Sequence, residues 1–124
     1  MVYDASRPTG ERLAKALIAK GVSIDARAEN GTTALLLAVN LNRDQTVKYL
    51  LGLKANPNIA DVNGWTPLLS AASEGNTTNV ELLVSSGANT SANLNGKDAA
   101  TLADQSGYPE LAASLRKRKG ESGR

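Results

Sequence analysis

The sequence predicts an all-α solenoid of stacked helix–turn–helix units with short β-hairpin tips, about three full repeats behind an N-terminal half repeat. Three observations predict it. The dipeptide Asn-Gly occurs at Asn30-Gly31, Asn63-Gly64 and Asn95-Gly96, at steps of 33 and then 32 residues. Each is a favoured tight turn, because both residue types tolerate positive φ. Behind each turn stands a helix-capping residue and a short Ala/Leu segment, and behind that a second Leu-containing segment. Neither segment is long enough to hold as an isolated helix, so each depends on its neighbours for a core.

The first helices are expected at about 34–41, 67–74 and 99–106. Thr33, Thr66 and Asp98 precede them as N-cap types, and Pro67 falls on a first helical position, where its missing N–H costs nothing. The second helices are expected from Asp44 or Gln45 to about Leu53, from Thr77 or Thr78 to about Ser86, and from Pro109 to about Arg118. Leu17-Ile18, Leu50-Leu51 and Leu82-Leu83 mark their apolar faces. Gly21 and Gly87 stand where a left-handed residue ends a helix, and Lys54 holds the equivalent place in the first full unit. Ala55-Asn56-Pro57-Asn58 then matches Ala88-Asn89-Thr90-Ser91 in phase.

These residues resemble the ankyrin repeat, with its 33-residue period. Gly64-Trp65-Thr66-Pro67-Leu68-Leu69-Ser70-Ala71 and Glu74-Gly75-Asn76 carry the likeness most fully. It covers residues 9–119: a partial unit at 9–27, full units at about 28–60 and 61–92, and a capping unit at 93–119. Residues 1–8 form a lead-in, and 120–124 are expected to be a disordered tail. Arg116 stands where inner units have Leu51 and Val84, as suits the polar outer face of a terminal repeat. The family's histidine after Pro-Leu is replaced by Leu36, Leu69 and Thr101, so its bonds to neighbouring loops are lost. A second histidine position holds Arg43, Asn76 and Tyr108. A usually apolar position carries Thr46 and Asn79, which are expected to hydrogen-bond across the repeat junction. The third unit is one residue short, and the gap lies between about Ser91 and Gly96.

The resemblance implies a binding module rather than a catalyst, meeting a partner protein through hairpin tips and the concave side of the first helices. Carried over by position, that surface is Glu29, Asn30, Thr32, Asn40 and Leu41, then Val62, Asn63, Trp65, Ser73 and Glu74, then Leu94, Asn95, Lys97, Gln105 and Ser106. Trp65 is the single tryptophan, beside a tip and outside any apolar helical stripe. It reads equally as a binding anchor and as packing over the adjacent loop. Leu36 and Leu69 are equivalent and adjacent in the stack. With Leu41 and Val62 they form an apolar patch for a partner, unless neighbouring repeats cover them.

Composition narrows the chemistry. With 124 residues, Cys 0 and His 0, the chain is one domain without disulfides, thiolate nucleophiles or histidine-based triads. No calcium loop, phosphate loop or dinucleotide fingerprint occurs. No cofactor or metal is expected. Asp61 is expected to brace its hairpin and Asp98 to cap a helix. Asn-x-Ser/Thr triplets at Asn30, Asn76 and Asn89 read as chance.

The net charge of +2 is not evenly spread. Five of the 14 Lys and Arg residues lie after residue 115, with one of the 12 acidic residues, so residues 1–115 carry −2. The run Arg116-Lys117-Arg118-Lys119 is expected to be a helix end favoured by the C-terminal partial charge. Its alternative is a patch for nuclear import or nucleic acid. The expected role is an adaptor, scaffold or steric inhibitor that binds another protein, as a monomer or within a hetero-complex. The alternatives are a nucleic-acid or nuclear-associated factor and a structural or engineered scaffold without a natural partner. The longest apolar run, Ala34 to Val39, is too short to span a bilayer, and no secretory leader is visible. An intracellular setting follows as an expectation, cytoplasmic by default with the nucleus open.

Overall fold

The computed structural model describes residues 19, 21 and 23–122. The expected lead-in and most of the partial unit, with Leu13 and Leu17-Ile18, lie outside the described residues. The elements run α1 (Ala34–Asn40), α2 (Asp44–Gly52), α3 (Pro67–Glu74), α4 (Thr77–Ser85), β1 (Asn93–Leu94), β2 (Lys97–Asp98), α5 (Ala99–Gln105) and α6 (Pro109–Ser122). Within each unit the helices pair, α1 with α2, α3 with α4 and α5 with α6. Between units α1 packs on α3 and α3 on α5, while α2 packs on α4. That is the two-layer helical solenoid expected.

Local chemistry sets each helix start. Thr33, Thr66 and Asp98 are extended N-caps whose side-chain oxygens accept from the N–H groups of Leu36, Leu69 and Thr101. Pro67 is the first helical residue of α3. Helix ends turn through left-handed residues at two recurring places. One is Asn42 (φ 56°), Gly75 (φ 70°) and Gly107 (φ 94°); the other is Gly21 (φ 88°), Lys54 (φ 71°) and Gly87 (φ 96°). Lys54 does adopt the strained conformation, at a cost of about 1 kcal/mol relative to glycine.

Repeated apolar positions build one continuous core. Leu35 aligns with Leu68, Ala38 with Ala71 and Ala103, and Leu50 with Leu83 and Leu115; all are at most 5% exposed. Full burial of one such leucine stabilises by roughly 1.5–3 kcal/mol, before the entropy of ordering it. The alanines let α1, α3 and α5 approach closely, so few aromatics are needed.

Four expectations are corrected. Leu36 and Leu69 are both 0% exposed, because each side chain is enclosed by the adjacent unit, so no apolar patch forms there. Asn79 is also 0% exposed, and among the described residues neither its Oδ1 nor its Nδ2 finds a partner, so no bond of its amide crosses the junction there. Helix α6 runs through to Ser122 and carries Gly120 within its last turn. Residues 120–122 are therefore helical rather than a disordered tail, and residues 116–118 of the basic run lie inside the helix rather than at its end. Residues 123–124 are outside the described residues.

The missing residue of the third unit is explained by turn type. In the first two hairpins Ala28 pairs with Thr32 and Asp61 with Trp65 across three-residue loops ending in Gly31 and Gly64, the only left-handed residues of those loops. In the third, Leu94 pairs with Lys97, and the loop is only Asn95-Gly96, both at positive φ. This is a type I′ turn, one residue shorter. Leu94 therefore corresponds to Asp61 rather than to Val62, and the third tip has no counterpart of Glu29 or Val62.

Candidate partner-binding surface

The middle unit carries the most developed surface. Asp61 organises it: Oδ1 accepts from the N–H groups of Asn63 (2.9 Å) and Trp65 (3.0 Å), while its own N–H donates to the Trp65 carbonyl (3.0 Å). Asp61 thus braces the hairpin as expected and fixes where Trp65 leaves it. Trp65 is half-buried, packed in part against the core, and lines a cleft of about 310 Å³ with Asn40, Asp61, Ser70, Ser73 and Glu74. Part of the Trp65 side chain thus packs on the core, as the packing reading expected, and part stays exposed in the cleft. On the far wall the Ser70 hydroxyl donates to Asn40 Oδ1, tying α3 to α1.

Four of the sequence-derived site residues, Asn40, Trp65, Ser73 and Glu74, meet in this cleft. Ser70 and the carboxylate of Asp61 join them, and neither was expected in a binding role. Ser70 had a signal: it replaces an apolar residue, since the same position holds Leu37 and Leu102 in the other units. A serine there leaves room that a leucine would fill.

The remaining candidates lie elsewhere. Glu29, Asn30 and Asn63 are exposed at the first two tips, which are linked by the Val62 N–H donating to the Asn30 carbonyl (2.9 Å). Val62 is 67% and Leu41 56% exposed. Thr32 is half-buried, and its N–H donates to Asn30 Oδ1 (3.1 Å). Asn95, Lys97, Gln105 and Ser106 are exposed on the third unit. Leu94 is half-buried against the core, and its Cδ1 would lie 2.9 Å from a Cβ at Gly64, so it packs between the second and third tips.

Polar ladders run between units on both sides of this surface. Arg27 Nη2 donates to the Ala60 carbonyl (2.7 Å) and Nε to the Gly31 carbonyl (3.2 Å). The loops behind the helices repeat one bond, from Asn56 N–H to Asp25 Oδ1 (2.8 Å) and from Asn89 N–H to Asn58 Oδ1 (2.7 Å). Asn76, at the second histidine position, reaches Asn42 Oδ1 (3.0 Å) and Asp44 Oδ1 (3.1 Å). Of the basic run, Arg116 pairs with Asp104 (3.4 Å) and Arg118 with Glu81. Among the described residues no three metal-ligating side chains gather, and no helix is long and apolar enough to cross a membrane.

The architecture defines a class, stacked helix pairs joined by projecting hairpins at a 33-residue period. Its membership is confirmed by a family model of ankyrin repeats in three copies, which matches residues 3–95 and 42–122. The chain belongs to the ankyrin repeat family, and ankyrin repeats are in general protein–protein interaction modules. It is similar to the glycerophosphocholine phosphodiesterase gde1 of Schizosaccharomyces pombe, 40% identical over 102 residues. That match takes in 81% of this chain but 9% of the phosphodiesterase. It is also similar to the 26S proteasome non-ATPase regulatory subunit 10 of Dictyostelium discoideum, 40% identical over 70 residues, 56% of this chain and 30% of that protein. A third relative is the neurogenic locus notch homolog protein 1 of Danio rerio, 36% identical over 70 residues, 56% of this chain and 3% of that protein. The chain thus spans a small part of each relative.

Proposed function

We propose that this chain binds a partner protein through the concave face of its first helices and the hairpin tips, with the Trp65 cleft at the centre. The observation that carries the reading is the cleft itself: a half-exposed indole held by a braced hairpin beside polar side chains from two units. Tryptophan on a rigid support is a favoured interface anchor, because it offers much area at little entropic cost. The action is steric. A rigid curved face covers part of another protein, as adaptor, scaffold or inhibitor. A relative that is by name a proteasome regulatory subunit is in keeping with work inside an assembly.

Wild-type chain and Trp65→Ala used in parallel as affinity baits from the native source, followed by titration of each purified partner, test this. Loss of roughly 30-fold or more in affinity, with the helical spectrum unchanged, is expected of an anchor. Unchanged affinity in a folded variant would remove Trp65 from the interface. Pairing of Arg116 and Arg118 within the chain weighs against a free basic patch for nucleic acid.

A further inference from the structure

We infer that the Trp65 cleft takes the side chain of an arginine from the partner protein; this rests on the binding reading above and names what fills its centre. The lining is rich in acceptors and, among the described residues, has no cation. Asp61 uses Oδ1 for two backbone N–H groups, and no hydrogen bond engages its other oxygen among the described residues. Glu74 is exposed on the rim and forms no ion pair among the described residues. Asn40 Oδ1 and the hydroxyls of Ser70 and Ser73 add further lone pairs.

Arg27, tied down beside the second tip, gives its donors to the Ala60 and Gly31 carbonyls, and among the described residues no bond joins it to the Asp61 carboxylate. Two carboxylates against this one cation leave the site net negative. An anionic occupant is therefore disfavoured, and a group with donors only is matched.

Size and shape narrow the choice. About 310 Å³ is at the bottom of the ~300–1,000 Å³ range of small-molecule pockets, which suits one long side chain. With no third carboxylate gathered among the described residues, a bare metal ion lacks a cage. An arginine presents five N–H donors in a planar fork, pairs bidentately with a carboxylate and stacks on aromatic surface. Lysine offers a compact, strongly hydrated charge that uses the indole less well. The meeting of an indole, two carboxylates without a salt bridge among the described residues, a buried serine and a bridging asparagine is thus an arginine receptor by its chemistry.

A random peptide library displayed on phage, panned against the folded wild-type chain, tests this. The enriched peptides are then synthesised and titrated against wild type, Trp65→Ala, Glu74→Gln and Asp61→Asn. Asp61→Asn keeps the Oδ1 acceptor that braces the hairpin, and thermal melts verify that each variant folds. The expected result is peptides sharing an arginine whose replacement by uncharged citrulline weakens binding tenfold or more, with a similar loss on Glu74→Gln. Peptides that need Trp65 but carry no arginine, or ignore both charge-removing changes, would overturn this inference and leave the binding reading standing. Enriched peptides indifferent to Trp65→Ala would overturn both.

Discussion

The second unit (61–92) and the third (93–119) are built from the same helix pair, yet they differ at the hairpin, at one core position and in charge. The second has a three-residue tip braced by Asp61, a cleft at Trp65, and a buried Asn79 whose side-chain amide has no hydrogen-bond partner among the described residues. The third has a two-residue type I′ tip, and Leu111, 7% exposed, at the position equivalent to Asn79. Its outer helix carries Arg116 and Arg118, each paired with an acidic residue. The middle unit, supported on both sides, tolerates a polar core residue and a surface shaped for contact. The terminal unit turns its charge to closing the stack.

The largest effect should come from the leucines that replace a family histidine. Leu69→Ala is expected to destabilise by about 2–5 kcal/mol, since the emptied volume is enclosed by neighbouring units. Chemical denaturation would measure it; a loss below about 1 kcal/mol would mean the side chain is more accessible than the core it fills. Exchanging residues between the two units is the next sharpest comparison. Asn79→Leu is expected to stabilise by about 1–3 kcal/mol, because it removes two buried polar atoms that nothing satisfies. Leu111→Asn should cost a similar amount. Matched denaturation curves decide; a neutral Asn79→Leu would point to overpacking at the junction.

Deleting Val62 leaves Asn63-Gly64 as a two-residue loop, the length found in the third hairpin. The expected loss is about 1 kcal/mol, chiefly the bond from the Val62 N–H to the Asn30 carbonyl. Retention of full stability would show that the two tips are energetically independent. The smallest effect is at Lys54, where Lys54→Gly should raise stability by about 0.5–1 kcal/mol by relieving positive φ. A drop on this change would mean the lysine stem contributes packing that outweighs the strain.

Much of the fold could be read locally. Thr33, Thr66, Asp98 and Pro67 act within one helical turn of their own positions, and their residue types name those roles. Asp61 was legible for the same reason, since it bonds to residues two and four ahead. The cleft was half legible. Trp65, Asn40, Ser73 and Glu74 follow from position in the repeat, whereas Ser70 was signalled only by a serine where leucine recurs. The shorter third hairpin was visible as a missing residue, but a count does not say which turn absorbs it.

What the sequence determined by itself is the period, the helix starts and ends, and the repeat family they spell. Those depend on interactions within a few residues. Only the tertiary structure decided that Leu36 and Leu69 are enclosed, that the Asn79 side-chain amide has no partner among the described residues, and that Asn40 of the first unit closes a cleft against Trp65 and Ser70 of the second. Burial and convergence there depend on side chains about 30 residues away, brought alongside by stacking. No local pattern encodes how much room those neighbours leave.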